Sequence, residues 1–194
     1  MTEFERMTAG LPYNPMDADL VARRRRSRQR CFRLNATDPT DRDGVAALLG
    51  DLMPDGGAAA GIELPFFVDY GENVHLGRDV YFNVNCVVLD VCPVVVGDRT
   101  KFGPAVQIYT ATHPLTAKAR VEYEYGRPVT VGCDVWVGGG AILCPGVTIG
   151  DRAVIGAGSV VTRDIPADVV AAGNPCRVIR AINQEEGEAA PNPH

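Results

Sequence analysis

The sequence predicts a mainly β chain, a parallel β-helix of six-residue repeats behind an N-terminal helical region, on three observations. The 194 residues include 21 Gly and 14 Pro but only 6 Phe, 6 Tyr and 1 Trp. Such dense punctuation keeps the segments between turns short and argues against a bundle of long helices. From residue 64 onward apolar residues recur six positions apart, a spacing foreign to a helix face. Between a charge-rich opening and this periodic region stands a Pro/Gly/Ala-rich stretch beginning at Met53, the clearest boundary in the chain.

The length suits one domain with a sizeable core. Hydrophobic residues make up 46% and charged residues 22%, which disfavours general disorder, a collagen-like fibre and a bundle of membrane spans. A net charge of −5 and a pI near 5.2 mean repulsion from phosphate backbones, so nucleic acid is a poor partner. The six cysteines (Cys31, Cys86, Cys92, Cys133, Cys144, Cys176) form no C-x-x-C pair. They read as reduced thiols rather than metal ligands or disulfides, and no metal is expected. No apolar stretch reaches the length of a membrane span, and the opening residues lack the basic-then-apolar order of a signal peptide, so the expected location is the cytoplasm.

Residues 1–60 form the expected helical region. One helix runs from Asp17 to Leu34, with Leu20, Val21, Phe32 and Leu34 as its few apolar residues and an aspartate suited to its first turn. The arginines from Arg23 to Arg33 read as the solvated face of that helix. A second helix begins at Asp41 or Asp43, runs through Val45, Leu48, Leu49 and Leu52, and ends before Met53.

Residues 61–181 carry the hexads. Val131, Val137, Leu143, Ile149, Ile155 and Val161 stand six apart, and glycine follows four of them at Gly132, Gly138, Gly150 and Gly156. A second small or apolar column precedes them by two through Val129, Val135, Ala141, Val147, Ala153 and Ser159. Upstream, Leu64, Tyr70, Leu76, Phe82 and Val88 keep the period, and after a two-residue slip Val96, Phe102 and Ile108 continue it. Each hexad reads as a short strand plus a turn, the apolar residue pointing inward and the glycine allowing a tight corner. Stacked, such units bury their hydrophobic faces only against one another. The rhythm breaks over about 109–128, an inserted loop of the kind that leaves a solenoid on its binding face. Residues 182–194 read as a disordered tail.

The Gly-punctuated hexads resemble those of the hexapeptide-repeat acyltransferases. The segments IYTATHP at Ile108, LDVCP at Leu89, DVWVG at Asp134, PGVTIG at Pro145 and VVAAGNPCRVI at Val169 resemble the maltose and galactoside O-acetyltransferases and the related nodulation acetyltransferases. The resemblance covers roughly residues 7–181. It implies a left-handed coil of triangular section, a homotrimer, and acetyl-CoA held in clefts between subunits. Left-handedness runs against the usual crossover rule and would not follow from the hexads.

Moving an acetyl group from a thioester to a sugar hydroxyl needs a base that titrates near neutrality. The loop carries His113, which matches the family's catalytic histidine in Thr-His-Pro; without the match a structural role stands equally open. His75, inside a regular hexad, reads as structural. Glu124, in a Glu-Tyr-Gly-Arg-Pro stretch, is the candidate to orient His113, with a solvated carboxylate as the equal alternative. For the acceptor sugar the resemblance points to Asp69, Tyr81, Asn83 and Asp90, with Asn83 also counted at the reacting centre. Asp90 as a turn cap and Asn83 as a corner residue remain open beside those roles. Val91 stands where the galactoside enzymes carry a second acid, which favours a maltose- or glucose-type acceptor. For acetyl-CoA the matching positions are Gly139, Ala157, Thr162 and Arg163 in the last coils. Arg177 and Arg180 match the pair that reaches the nucleotide phosphates, although from composition alone they are ordinary surface charges. Trp136 reads as a packing residue, with an outward aromatic lining the cleft as the alternative.

The expectation is therefore a trimeric acetyl-CoA-dependent sugar O-acetyltransferase without a metal. A relative acting on a xenobiotic, a serine or an oligosaccharide, and a non-catalytic trimeric scaffold, are the alternatives. A hexapeptide-coil carbonic anhydrase needs three zinc-binding histidines, and only two lie outside the tail.

Overall fold

The structure, a computed structural model of the chain, describes residues 1–185. Most of the expected tail, 186–194, therefore lies outside the described residues. Three helices precede the coil: α1 (Glu3–Thr8), α2 (Ala18–Asn35) and α3 (Arg42–Leu52). Sequence reading did not anticipate α1, although Thr2 and Glu5 form a capping box in which each side chain accepts from the other's backbone N–H. Asp17 caps α2 through the N–H groups of Asp19 and Leu20, and Asp41 caps α3 through Gly44. Both starts follow from an aspartate accepting bonds that the first helical turn cannot satisfy itself.

Helix α2 buries Leu20, Ser27, Cys31 and Leu34. It packs on α3 and on strand Phe66–Val68, where the Asn35 amide clamps the Phe66 backbone with bonds of 3.0 and 2.9 Å. Phe32, expected on the apolar face, instead points outward and is 76% exposed. The arginine run is not uniformly solvated either. Arg23 pairs with Asp19 and Glu72, Arg30 with Asp51, and Arg24 binds the Tyr70 hydroxyl and the Pro15 carbonyl.

The remainder is a three-sided coil of short parallel strands. The first face holds Phe66–Val68, Cys86–Leu89, Gln107–Tyr109, Ile142–Leu143 and Val160–Val161. The second holds Val74–Leu76, Val94–Val96, Val129–Val131 and Thr148–Ile149. The third runs from Gly61–Ile62 through Tyr81–Phe82, Lys101–Phe102, Trp136–Val137 and Val154–Ile155 to Val169–Ala172, and closes with Arg177–Ala181, its one antiparallel strand. Strands on each face pair in register, so Val88 lies over Ile108 and Phe102 over Val137. Like residues therefore stack. Phe82 and Phe102 overlap face to face with centroids 4.3 Å apart, and Phe66 tilts against Phe82. The interior columns run without polar interruption except for Thr100 and Ser159, whose hydroxyls donate to the Gly132 and Gly156 carbonyls. Each strand is only two to five residues long, so this continuous column supplies the burial that no single strand could.

Two sequence expectations need correction. Leu64 and Tyr70 are out of register with the core column, which at this level is Phe66 and Val68. The glycines following the column residues are not the left-handed corner residues either. Left-handed backbone falls two positions later, mostly at non-glycine residues such as Asp134 (φ 57°) and Arg152 (φ 57°). Gly138 is required for a different reason: a Cβ there would lie 2.5 Å from the Ala157 backbone nitrogen of the next coil. The corner glycine lets two coils approach.

Gly138→Ala is therefore expected to cost about 1–3 kcal/mol, as overpacking does, and to lower the thermal midpoint more than Gly140→Ala. Gly140 has φ +68°, but a Cβ there would meet nothing within 4 Å, so only the left-handed backbone cost of about 1–2 kcal/mol applies. The reverse order in a melting experiment would contradict close coil approach as the reason for the glycine.

Candidate active site

The chain passes from the third face to the first, then to the second, and its irregularities gather on one edge. At a regular corner the buried positions stand four apart, as in Leu143 and Val147. Between the first and second faces the early coils are longer. Val68 and Val74 stand six apart, Val88 and Val94 also six, and between Ile108 and Val129 comes the whole insertion. These three extra segments lie one above another on the same edge.

Asp90 organises the upper two. It is fully buried, and its carboxylate accepts from the backbone N–H groups of Asp69 (3.1 Å), Tyr70 (2.9 Å), Gly71 (2.7 Å) and Asn73 (3.3 Å). The Asn73 amide donates to the Asp90 carbonyl at 2.6 Å. Asp90 as a sugar-binding residue is thereby corrected, because neither carboxylate oxygen reaches solvent and both serve the 69–73 corner. Burial pushes its acid up to about 7, while the N–H groups of Tyr70 and Gly71 pull against that.

The insertion folds back on itself. Ala111–Thr112 pairs antiparallel with Tyr125–Gly126, and a one-turn helix, α4 (Ala117–Arg120), lies between them. His113 directly follows the first of these strands and Glu124 directly precedes the second, so the hairpin brings them together. His113 Nδ1 stands 3.9 Å from Glu124 Oε1, with the imidazole half exposed and the carboxylate more sheltered. The other carboxylate oxygen accepts from the Tyr13 hydroxyl at 3.0 Å.

Tyr13 is buried at 2% exposure and exchanges two backbone hydrogen bonds with Glu124, at 2.9 and 3.1 Å. Burial, reinforced by the Glu124 charge, drives its phenol well above the ordinary range, so it remains a donor. The segment before it is strapped to the same loop. Gly10 comes so close to Gly126 that a Cβ would lie 3.0 Å from the Gly126 carbonyl, and the Cys92 thiol donates to the Met7 carbonyl. Tyr70 is buried in the same small cluster, its hydroxyl accepting from Arg24 at 2.7 Å. Burial raises the Asp69 acid, opposed by the charges of Arg24 and Arg28 and reinforced by Glu124. Asp69, His113 and Glu124 thus share one edge with three residues that sequence reading missed. Tyr70 was hidden in a hexad column and Arg24 in the arginine run. For Tyr13 the available signal was the Gly-Leu-Pro turn that reverses the chain just before it.

The other candidates divide. Thr162 and Arg163 occupy the same edge in the last coil, both exposed. Asn83, Gly139 and Ala157 lie on the edge between the third and first faces. There the corners stack through bonds from Ala105 to Val84, Gly140 to Pro104 and Gly158 to Gly139. Asn83 turns its carbonyl back to the Val84 N–H. Tyr81 points out from the third face beside Lys101, with Trp136 next in register. Trp136 is 58% exposed, which corrects its expected packing role. Arg177 and Arg180 lie exposed on the final strand, each donating to a backbone carbonyl of its own segment. The first face, whose longest strand has four residues and spans about 13 Å, separates Asn83 from His113 within one chain. His75 binds Asp55 at 2.7 Å and ties the second face to the segment after α3. All six cysteines are free thiols.

An Asp90 acid at about 7 in the fold against 3.8 in the unfolded chain means that the native state binds the extra proton between those values. Its contribution to stability therefore falls as pH rises from about 4 to about 7. Wild type is expected to lose stability relative to Asp90→Asn across that window, measured by denaturant melts at each pH; a pH-independent difference would contradict the assignment.

Comparison with known proteins agrees with this architecture. Residues 6–57 match the family described as the maltose acetyltransferase hexapeptide capping motif, and residues 128–163 match the bacterial transferase hexapeptide of six repeats. The galactoside O-acetyltransferase of Escherichia coli (strain K12) is 39% identical over 183 residues, covering 94% of this chain and 90% of that protein. The crystal structure of a maltose O-acetyltransferase from Clostridium difficile 630 superposes with a TM-score of 0.92 at 44% identity, covering 95% of this chain and 99% of that one. A galactoside acetyltransferase in complex with coenzyme A gives 0.87 at 38% identity, with 94% and 92% covered.

Proposed function

The chain belongs to the hexapeptide-repeat acetyltransferases, and from that membership we propose that it transfers the acetyl group of acetyl-CoA to a hydroxyl of a maltose- or glucose-type sugar. The observation that carries the reading is the series Tyr13, Glu124, His113 on an edge where the coil is interrupted. Glu124 faces the Nδ1 side of the imidazole, which leaves Nε2 to accept the proton of an acceptor hydroxyl. As that proton leaves, the hydroxyl oxygen bonds to the thioester carbonyl carbon. His113, now an imidazolium stabilised by Glu124, returns the proton to the departing CoA sulfur. The 3.9 Å separation is long for a hydrogen bond and is of the kind that tightens when substrates bind. Val91, buried among Met7, Tyr13, Leu20 and Tyr70, supports the glucose-type acceptor, because a second carboxylate would not sit in that apolar cluster.

The division of candidates between two edges supports a left-handed coil assembled as a homotrimer. In such an assembly the His113 edge of one subunit faces the Asn83 edge of the next, with Gly139 and Ala157 lining the CoA cleft beside Asn83. Arg177 and Arg180 are then the cations for the nucleotide phosphates, with Thr162 and Arg163 at the opposite wall. The relative bound to coenzyme A supports a cleft of this kind. Acetyl-CoA as donor and six free thiols support a cytoplasmic setting.

Release of free CoA from acetyl-CoA is expected with maltose or glucose, and His113→Ala is expected to lower kcat about 10²- to 10⁴-fold. No release with either sugar, together with an unchanged His113→Ala, would overturn the function. Subunit sharing has its own test. Refolding a mixture of inactive His113→Ala and Asn83→Ala chains should regain about a quarter of wild-type activity, since one site in about four then pairs intact residues. No regain would place both residues in one subunit's site.

A further inference from the structure

The outer face of α2 carries a groove of about 670 Å³ that the reaction does not use. Its walls are Arg24, Arg25, Arg28 and Arg33, and its apolar surface includes Met16 and Phe32. In a protein of net charge −5 this is a local concentration of positive charge. Among the described residues the guanidinium groups of Arg25, Arg28 and Arg33 have no carboxylate partner, unlike Arg23 and Arg30 on the same helix. Phe32 and Met16 are 76% and 74% exposed. An aromatic ring and a thioether left in water beside free guanidinium groups offer a sugar face and an anion what each needs.

The groove meets the candidate active site at one residue, Arg24. Arg24 lines it and also donates to the Tyr70 hydroxyl, whose ring shares an apolar cluster with Tyr13, the donor to Glu124. Arg24 and Arg28 both act electrostatically on Asp69. From Arg24 to Arg33 the helix advances about 13 Å at 1.5 Å per residue, room for more than one sugar unit along its face.

We propose that this groove binds an anionic extension of the acceptor, so that the preferred substrate is an oligosaccharide carrying a carboxylate or phosphate group one or two units from the acetylated hydroxyl. The assignment rests on the sugar O-acetyltransferase reading and names the substrate class for it. The rings beyond the acetylated one run along the groove towards Phe32, and Arg25, Arg28 and Arg33 bind the anion. A neutral sugar makes only the first of these contacts.

The test compares maltose, maltose 1-phosphate and maltobionic acid at low salt, by acetyl-transfer kinetics and by calorimetric binding of each sugar. The expected result is a KM and a Kd at least tenfold lower for an anionic sugar than for maltose, one charge-assisted hydrogen bond being enough for that factor. Whether the phosphate or the carboxylate gains more identifies the anion. In Arg25→Glu/Arg33→Glu the ratio should fall to near one, and Arg25→Gln/Arg33→Gln should lie between. Transfer without charge preference, or a preference that persists in the Glu variant, overturns the groove assignment and leaves the sugar acetyltransferase reading intact. Charge-dependent binding without transfer to any sugar overturns that reading and keeps the groove. Neither transfer nor charge-dependent binding overturns both.

Discussion

The molecule is governed by the register of one coil on the next. Backbone N–H groups of each coil donate to the carbonyls of its neighbour, so every residue has a fixed counterpart above and below. Inside, that constraint produces columns of Val, Ile, Leu and Phe, and it allows no extra residue without breaking the ladder. Additional chain must leave at a corner. All three lengthened corners fall on the edge between the first and second faces, where they support one another. The place proposed for chemistry is thus a consequence of hydrogen-bond register.

The three edges share one backbone geometry and carry different chemistry. The edge between the second and third faces bears a ladder of exposed pairs, Arg78 with Asp98, Arg99 with Asp134 and Arg152 with Asp168. Pairs so exposed contribute little to stability and are screened by salt. The edge with Asn83, Gly139 and Ala157 is built of small residues and open backbone, suited to a ligand that lies along the coils. The third adds a buried carboxylate, Asp90, to its coil-to-coil bonds, because the wider 69–73 corner turns its N–H groups inward. A carboxylate with four backbone donors can hold such a corner where an apolar side chain would strand three of them, those of Tyr70, Gly71 and Asn73.

The N-terminal segment is part of the site rather than a cover over the coil. Tyr13 reaches Glu124 because Gly10 permits contact with Gly126 and because Met7 and Leu20 fill an apolar cluster with Tyr70 and Val91. Removing that packing would free the carboxylate that faces His113. Stability of the first helices and the position of Glu124 are therefore coupled through Tyr13, by its phenol and by two backbone hydrogen bonds.

Periodicity alone sufficed for the coil, because a six-residue apolar repeat with small corner residues has few other ways to bury itself. Aspartates before short apolar runs likewise marked the starts of α2 and α3, and the break in rhythm located the loop bearing His113. These are local properties, written in adjacent residues. The tertiary structure decided what depends on distant parts of the chain meeting. It made Asp90 a structural anchor, exposed Trp136 and Phe32, recruited Tyr13, Tyr70 and Arg24, and assigned the corner glycines to coil contact rather than backbone conformation. It also divided His113 and Asn83 between two edges, because the width of a face is a property of the stack, and no spacing along the sequence contains it.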